Sequence, residues 1–232
     1  MTDFDLQAIV DALPYLILSG LRFTLLLTFT STVGGLLLGT LLAIARLYGG
    51  RLLAWPATVY VNLFRSLPLV LVIFLIYFIL PYALQAVTGA ERPIVLGAMG
   101  SAFITFILFE AAYFSEIIRA GVGSVGHGQY AAGSALGLTH GQVLRKVILP
   151  QAFRNMLPVL LTQVIVIFQE TALVYVLSLT DFLGAATKIA QRDNRLVEMY
   201  MLVALVFFVI SFTASRGVRA LRAPDRGLKL FP

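Results

Sequence analysis

The sequence predicts an all-α, polytopic membrane protein with five transmembrane helices, its N-terminus outside and its C-terminus inside. Three observations predict it. Hydrophobic residues make up 59% of the 232 and charged residues only 12%, against about 45–50% and about 25% in soluble domains. A soluble chain of this length has no interior large enough for that much apolar surface. Apolar runs near the ~20 residues needed to cross the hydrocarbon recur along the chain, and in lipid a helix satisfies every backbone group from within. Basic residues gather between alternate runs, and that sets the sidedness.

The elements follow in order. The N-terminal stretch MTDFDLQAIVDALP is acidic, unlike the positively charged start of a secretory signal. Residues 23–45 carry no charge and form the clearest span. Residues 52–84 are too long for one crossing and contain Pro68. They are expected to split into an interfacial part ending near Arg65 and a spanning part from Pro68. The third span is expected over residues 94–118, the fourth over 155–178 and the fifth over 199–216. Together they form one transmembrane domain over 1–232, with its spanning part about 13–221 and an inside loop over 119–154.

Sidedness is read from Lys and Arg. Arg46 and Arg51 follow the first span, Arg119, Arg145, Lys146 and Arg154 fill the third loop, and Arg216, Arg219, Arg222, Arg226 and Lys229 follow the last span. These eleven basic residues meet only Asp225. The other side mixes Arg92, Lys188, Arg192 and Arg195 with seven acids. The basic tail reads as an anchor on anionic lipid. Because these charges border the membrane, no nucleic-acid partner is expected. There is no cysteine, so no disulfide or thiolate chemistry is available. His127 and His140 lack metal-ligand spacing, and no metal site is expected.

The third inside loop is long enough to contain its own structure. QYAAGSALGLTHGQVLRKVILPQAF reads as helix, turn, helix. Ala131–Leu136 is a short helix of small residues, Gly137 suits the left-handed end of a helix, and Thr139 suits the N-cap of the next. Val143, Leu144, Val147 and Ile148 line one apolar side, and Pro150 is expected to end or kink that helix. A hairpin lying along the membrane with a small-residue tip suits docking into a cleft of another protein.

This segment resembles the EAA loop of bacterial ABC-importer permeases, in which EAA, three residues, G and nine residues precede I-x-L-P. Ala131, Ala132 and Gly133 stand at the triplet, Gly137 at the glycine, Val147 at the isoleucine, and Leu149 and Pro150 at the closing pair. Ala131 therefore replaces the loop glutamate. FRSLPLVLVIFLIYFILP, AAYFSEIIRAGVGSV and FQETALVYVLSLTDF resemble stretches of the polar amino-acid (HisMQ-like) permeases. FEAAYFSEIIRAG and RDNRLVEM are similar in particular to the glutamate/aspartate importer permeases and their K-type subunit. The resemblance implies a type I ABC-importer (MetI-like) transmembrane domain in the bacterial inner membrane. It implies two ATP-binding subunits docked on the loops, a second, related permease, and a periplasmic amino-acid-binding protein. The chain has no G-x-x-x-x-G-K-[ST] phosphate loop. ATP and magnesium are therefore expected on the partner ATPase, with no cofactor on this chain. A permease for glutamine or a basic amino acid, and a non-transport scaffold or channel, are the alternatives. No H-E-x-x-H or G-x-S-x-G supports a membrane enzyme.

Ionisable groups inside a membrane are costly and mark function by default. Glu110 and the polar triplet Gln169–Glu170–Thr171 are the candidates for a substrate path, with Arg22 and Arg65 as the local cations for an acidic cargo and Arg65 expected first of all near the inner gate or paired with a carboxylate. Depths counted from the expected span ends place Glu110 and Glu170 about 15 Å apart, so they are not expected to form a carboxylate pair. Glu116 and Arg119 can pair across one helical turn. Gly35 and Gly39 form a G-x-x-x-G through which another helix can approach.

Overall fold

The computed structural model describes residues 5–221, and among them all regular structure is helical. Asp5 caps α1 (Leu6–Tyr15) by accepting the N–H groups of Gln7 and Ala8. Pro14 inside α1 lacks an N–H for the ladder, and the chain continues through a π-helical turn, Leu16–Leu21, into α2 (Arg22–Tyr48). The first spanning unit is therefore one stretch, Leu6–Tyr48, which starts well before the expected residue 23.

The buried side of α2 is Thr24, Leu27, Thr28, Ser31, Gly35, Gly39 and Ala43, a stripe of mostly small residues at three- and four-residue spacing. Against it lies α6 (Gly97–Gly123), running in the same direction. A Cβ at Gly35 would stand 2.9 Å from Glu110 Cβ, and one at Gly39 would stand 2.8 Å from both the Ala111 carbonyl oxygen and Phe114 Cβ. The G-x-x-x-G works as expected, and its partner is α6.

After the left-handed Gly50 comes α3 (Gly50–Ser66), which meets α4 (Leu69–Phe78) at 110°. Pro68 stands at the break, where it holds the chain extended. α5 (Leu80–Thr88) carries Pro81 in its first turn and ends on left-handed Gly89. The second crossing, expected from Pro68, is thus made of two short helices. Among the described residues four stretches are long and apolar enough to cross alone, namely Leu6–Tyr48, Gly97–Gly123, His140–Leu177 and Leu196–Leu221, and a fifth exists only if the bent pair α3–α4 counts as one.

α7 (His127–Ala135) and α8 (His140–Val143) form a hairpin. A π-helical turn, Leu144–Ile148, joins α8 to α9 (Leu149–Glu170), which ends in a 3₁₀ turn, Thr171–Leu177. The segment expected as an outer loop folds back as α10 (Phe182–Asp193), and α11 (Leu196–Leu221) completes the chain. Asp181 caps α10 by accepting the N–H groups of Leu183 and Gly184. Phe182, Ala185, Ala186, Ile189 and Ala190 then bury against Ala12, Leu16, Met199 and Val203. The approach is close because Gly20 has no Cβ: one would stand 2.9 Å from both Ala185 Cβ and Phe182 Cα. A second core joins α2, α4, α6 and α9 around Leu27, Ile73, Phe106, Phe114 and Ile167.

Two outcomes follow. Gly39→Val overpacks the α2–α6 contact and is expected to cost about 2 kcal/mol, seen as a lower melting midpoint in detergent. Gly100→Ala, whose Cβ would meet nothing closer than 3.6 Å, leaves that midpoint in place. Burial pushes the Asp181 carboxyl up to about 6, against backbone N–H groups that favour its charged form. A folded-state value above the unfolded 3.8 means that stability falls as pH rises from about 4 to about 6. Asp181→Asn keeps the cap without the charge. It should melt above the parent near pH 7.5, with the gap closing near pH 4.

Candidate functional site

Glu110 is fully buried in the middle of α6. Its Oε2 accepts from Gln163 Nε2 at 2.9 Å, while its Oε1 has no protein partner. Beside it stands the Glu170 carboxyl, whose Oε2 is also buried and without a protein partner. The two acids thus lie together, which corrects the ~15 Å separation expected from span ends. The register is set elsewhere, where Gly121 lets Met156 pack within 2.8 Å of where its Cβ would be. Counted from that contact, Glu110 and Glu170 are about 16 and 21 Å along their helices, only about 5 Å apart in depth. Guessed span ends erred because α6 runs past residue 118 and α9 starts before residue 155.

The triplet around Glu170 points three ways. Gln169 is exposed on the flank of the bundle. Thr171 is buried, and its hydroxyl donates to the Phe168 carbonyl at 2.7 Å. Glu170 alone turns towards Glu110, at the point where α-helix gives way to 3₁₀. Of the expected path residues, the fold therefore brings Glu110 and Glu170 together and leaves Gln169 apart.

Arg65 lies near the end of α3. Its guanidinium sits 5.7 Å from the centroid of the Tyr113 ring and 3.8 Å from Glu116 Oε2. Tyr113 in turn lies within charge range of Glu170 and Glu110, so it stands between the acid pair and the cation. Glu116 also takes Arg46 at 2.8 Å and Arg119 at 2.5 Å. The expected Glu116–Arg119 pair is one arm of a node in which three arginines from three helices meet one carboxylate. Arg22 is exposed at the start of α2. Sequence reasoning missed Gln163, Tyr113 and Arg46. Gln163 was findable, because it is a polar residue seven positions before Glu170 and so two turns away on the same face.

The hairpin is built as its residues suggest. Gly137 is left-handed at φ +77°. Its N–H bonds the Ser134 carbonyl at 3.0 Å, and the Leu138 N–H bonds the Gly133 carbonyl at 3.2 Å, the paired closure of a helix C-terminus. Two residues later Thr139 and Gln142 form a reciprocal capping box. Gly133 is buried against Val143, whose side chain comes within 2.9 Å of where a Cβ would be. The Tyr130 hydroxyl meets His140 Nδ1 across the legs. Ala131 and Ala132 are exposed on α7, Val147 is half-buried, and Leu149 and Pro150 are exposed. Of the end or kink expected at Pro150, the end does not occur. The missing N–H falls in the first turn of α9, directly after the π turn, and the stretch His140–Leu177 continues through it. The second leg of the hairpin is therefore the beginning of the fourth spanning stretch.

A cavity of about 670 Å³ lies elsewhere. It opens between α1 and α10, lined by Asp5, Asp11, Lys188 and Arg195 among others, and contains neither Glu110 nor Glu170.

Comparison with known proteins agrees over nearly the full length. The chain is 51% identical over 222 residues to the glutamate/aspartate import permease protein GltK of Escherichia coli O6:H1, covering 96% of this chain and 98% of that one. It is 32% identical to the arginine transport system permease protein ArtQ of Bacillus subtilis, covering 96% of this chain and all of the relative. Among solved structures, an amino acid ABC transporter with histidines superposes with a TM-score of 0.85 at 32% identity, covering 95% of this chain and 98% of that chain. The family model for the binding-protein-dependent transport system inner membrane component matches residues 35–223. The hairpin, the glycine-packed bundle and this match together place the chain in that family: it is a member of the binding-protein-dependent transport system inner membrane components.

Proposed function

We propose that this chain is the membrane-spanning subunit of an ATP-driven importer that carries an acidic amino acid, glutamate or aspartate, across the bacterial inner membrane. The observation that carries this is the 51% identity to a glutamate/aspartate import permease over nearly all of both chains. It works with a second, related permease, two ATP-binding subunits on the inside, and a periplasmic binding protein that delivers the cargo. ATP and magnesium belong to the ATP-binding subunits, and this chain carries no catalytic or metal role.

The side chains suit such a cargo. An amino acid presents an ammonium and at least one carboxylate. Glu110 Oε1 and Glu170 Oε2 are buried acceptors without protein partners, suited to an ammonium. Arg65, on the far side of Tyr113, is suited to a carboxylate. Thr171 holds the turn that aims Glu170, and Gln169 faces the flank that the second permease would complete. Two acids would by charge alone suit a basic amino acid, and the likeness to an arginine permease makes that the second reading. Competition of labelled glutamate uptake by aspartate, but not by arginine, separates the two.

The coupling residues Ala131, Ala132, Gly133, Gly137, Val147, Leu149 and Pro150 stand on the hairpin and the start of α9, on the inside. The N-terminus lies outside and the C-terminus inside, as the positions of Lys and Arg require; Arg222, Arg226 and Lys229 fall outside the described residues. Transport is a population shift between two arrangements of the bundle, biased by ATP at the hairpin.

Two measurements test this reading. The chain has no cysteine, so single cysteines report sidedness cleanly. Thr88→Cys should react with an impermeant maleimide in intact cells and Ser134→Cys only in inverted vesicles, and the reverse pattern overturns the topology. In the reconstituted complex, Glu170→Gln removes a charge-assisted acceptor and should raise the KM for glutamate about tenfold or more. Wild-type uptake at unchanged affinity would remove Glu170 from the path.

A further inference from the structure

The exposed face of α9 differs from those of α2 and α11. From Leu25 to Leu47 every exposed residue of α2 is apolar, and so is every exposed residue of α11 from Met201 to Phe212. Lipid demands this, because it satisfies no polar group. On α9, from Asn155 to Gln169, the exposed residues are Asn155, Val159, Thr162 and Gln169. The three polar ones stand seven apart, so they form one stripe about 21 Å long on a single face. Asn155 donates to Ser124 Oγ at 2.9 Å and Thr162 to the Pro158 carbonyl at 2.8 Å. The Gln169 side-chain amide has no hydrogen-bond partner among the described residues.

The surroundings of the stripe give it a direction. Met156, Gln163 and Glu170, each one residue further on, form a parallel stripe that turns towards α6. There Met156 packs on Gly121 and Gln163 donates to Glu110. The exposed stripe therefore borders the acid pair at its Gln169 end. At its Asn155 end lies a cavity of about 300 Å³ between α6 and α9, with Asn155, Met156, Val159 and Gly121 in its lining. Polar side chains at membrane depth face a water-filled space or a protein neighbour. Here they run from a pair of buried acids to a cavity, which is the course of a passage.

We propose that this face of α9 is the wet wall of the translocation path, and that Thr162 and Asn155 pass an amino acid by neutral hydrogen bonds from the acid pair to the cavity between α6 and α9. This rests on the importer reading above and adds the route and two residues to it. Amides and hydroxyls both donate and accept, so they bond an ammonium and a carboxylate alike. Carrying no charge, they let go of either. Passage needs sites that are weak and several, and these stand about 10 Å apart.

The test uses the full complex in proteoliposomes, with partner subunits free of cysteine, and a cationic, membrane-impermeant thiosulfonate. This chain has no cysteine of its own. Thr162→Cys should be modified about a hundredfold or more faster than Leu205→Cys on the exposed face of α11, because a thiol ionises and reacts in water. Gln169→Cys should behave as Thr162→Cys does, and it carries the test if the first variant fails to assemble. Thr162→Leu should lower glutamate uptake about tenfold or more, the effect of one lost hydrogen bond on a rate, while the complex elutes intact. The proposal is overturned if both cysteines stay unreactive with and without ATP. Cross-linking of these unreactive cysteines to the second permease would show a dry interface, and reaction with a lipid-soluble maleimide alone would show a lipid face. Wild-type uptake by Thr162→Leu overturns the role in passing the cargo. A parent complex that takes up no glutamate although Thr162→Cys reacts is a different result: the importer reading fails and the wet face stands.

Discussion

The close approach of α2 and α6 is the contact on which the rest depends. It exists because Gly35 and Gly39 have no side chains: their missing Cβ atoms leave room for Glu110, Ala111 and Phe114 of the facing helix. In lipid there is no hydrophobic force between helices to exploit, so dispersion contacts at short backbone distance hold the pair. That approach also determines the chemistry. It seals one side of Glu110 against a helix backbone, leaving Gln163 and Glu170 on α9 as its polar neighbours. It carries Arg46, near the end of α2, to within 2.8 Å of Glu116 on α6. One strip of small residues thus builds an acid pair in the middle of the bundle and an ion-pair node near the end of α2.

The node has its own logic. Glu116 accepts from Arg46 and Arg119 and lies near Arg65, so the three cations exceed the one carboxylate. Arg46 is the most enclosed, with its side chain 10% exposed, while those of Arg65 and Arg119 are 40% and 43% exposed. Exposed ion pairs contribute little to stability. What the node fixes is geometry: it ties the bent α3 to the rigid α2–α6 pair at the residue that also lies over Tyr113. Movement of α3 about the break at Pro68 would carry Arg65 with it and change the charge facing the acid pair.

Much of this was legible in the residues, and the failures have physical causes. Composition gave the helical membrane class. The break at Pro68, the glycine contact and the turn at Gly137 all appear where steric rules place them. The positions of helix ends did not follow from hydropathy, because a spanning helix continues into water wherever its backbone bonds are satisfied. α6 runs on to Gly123 and α9 is continuous through the π turn back to His140, and the depth arithmetic for Glu110 and Glu170 failed there. α10 was missed for a different reason: its apolar side is built from alanines and Ile189, which read as neutral beside Lys188, Arg192 and Asp193. Its helical signal was the Asp181 cap together with the spacing of Ala185, Ala186, Ile189 and Ala190. Pro150 misled because a proline in a first helical turn costs no hydrogen bond, and the π turn before it lets a new first turn begin without ending the helix.

That last detail bears on how force would pass through the molecule. The second leg of the hairpin and Glu170 lie on one stretch, His140–Leu177, and about 45 Å of helix separates His140 from Glu170. Helical hydrogen bonds make such a rod stiff, so displacement of the hairpin cannot be absorbed in a loop. It can be absorbed where the ladder departs from α-geometry, at the π turn Leu144–Ile148 and at the 3₁₀ turn that begins at Thr171. The first sits at the junction with the hairpin and the second directly after Glu170. A rotation applied at the tip is therefore delivered to Glu170, which stands beside Glu110 of α6. Because Glu110 is pinned by the α2–α6 packing, relative motion of the two acids is the change the fold allows most directly. A path lined by them would then open or close without either helix having to unfold.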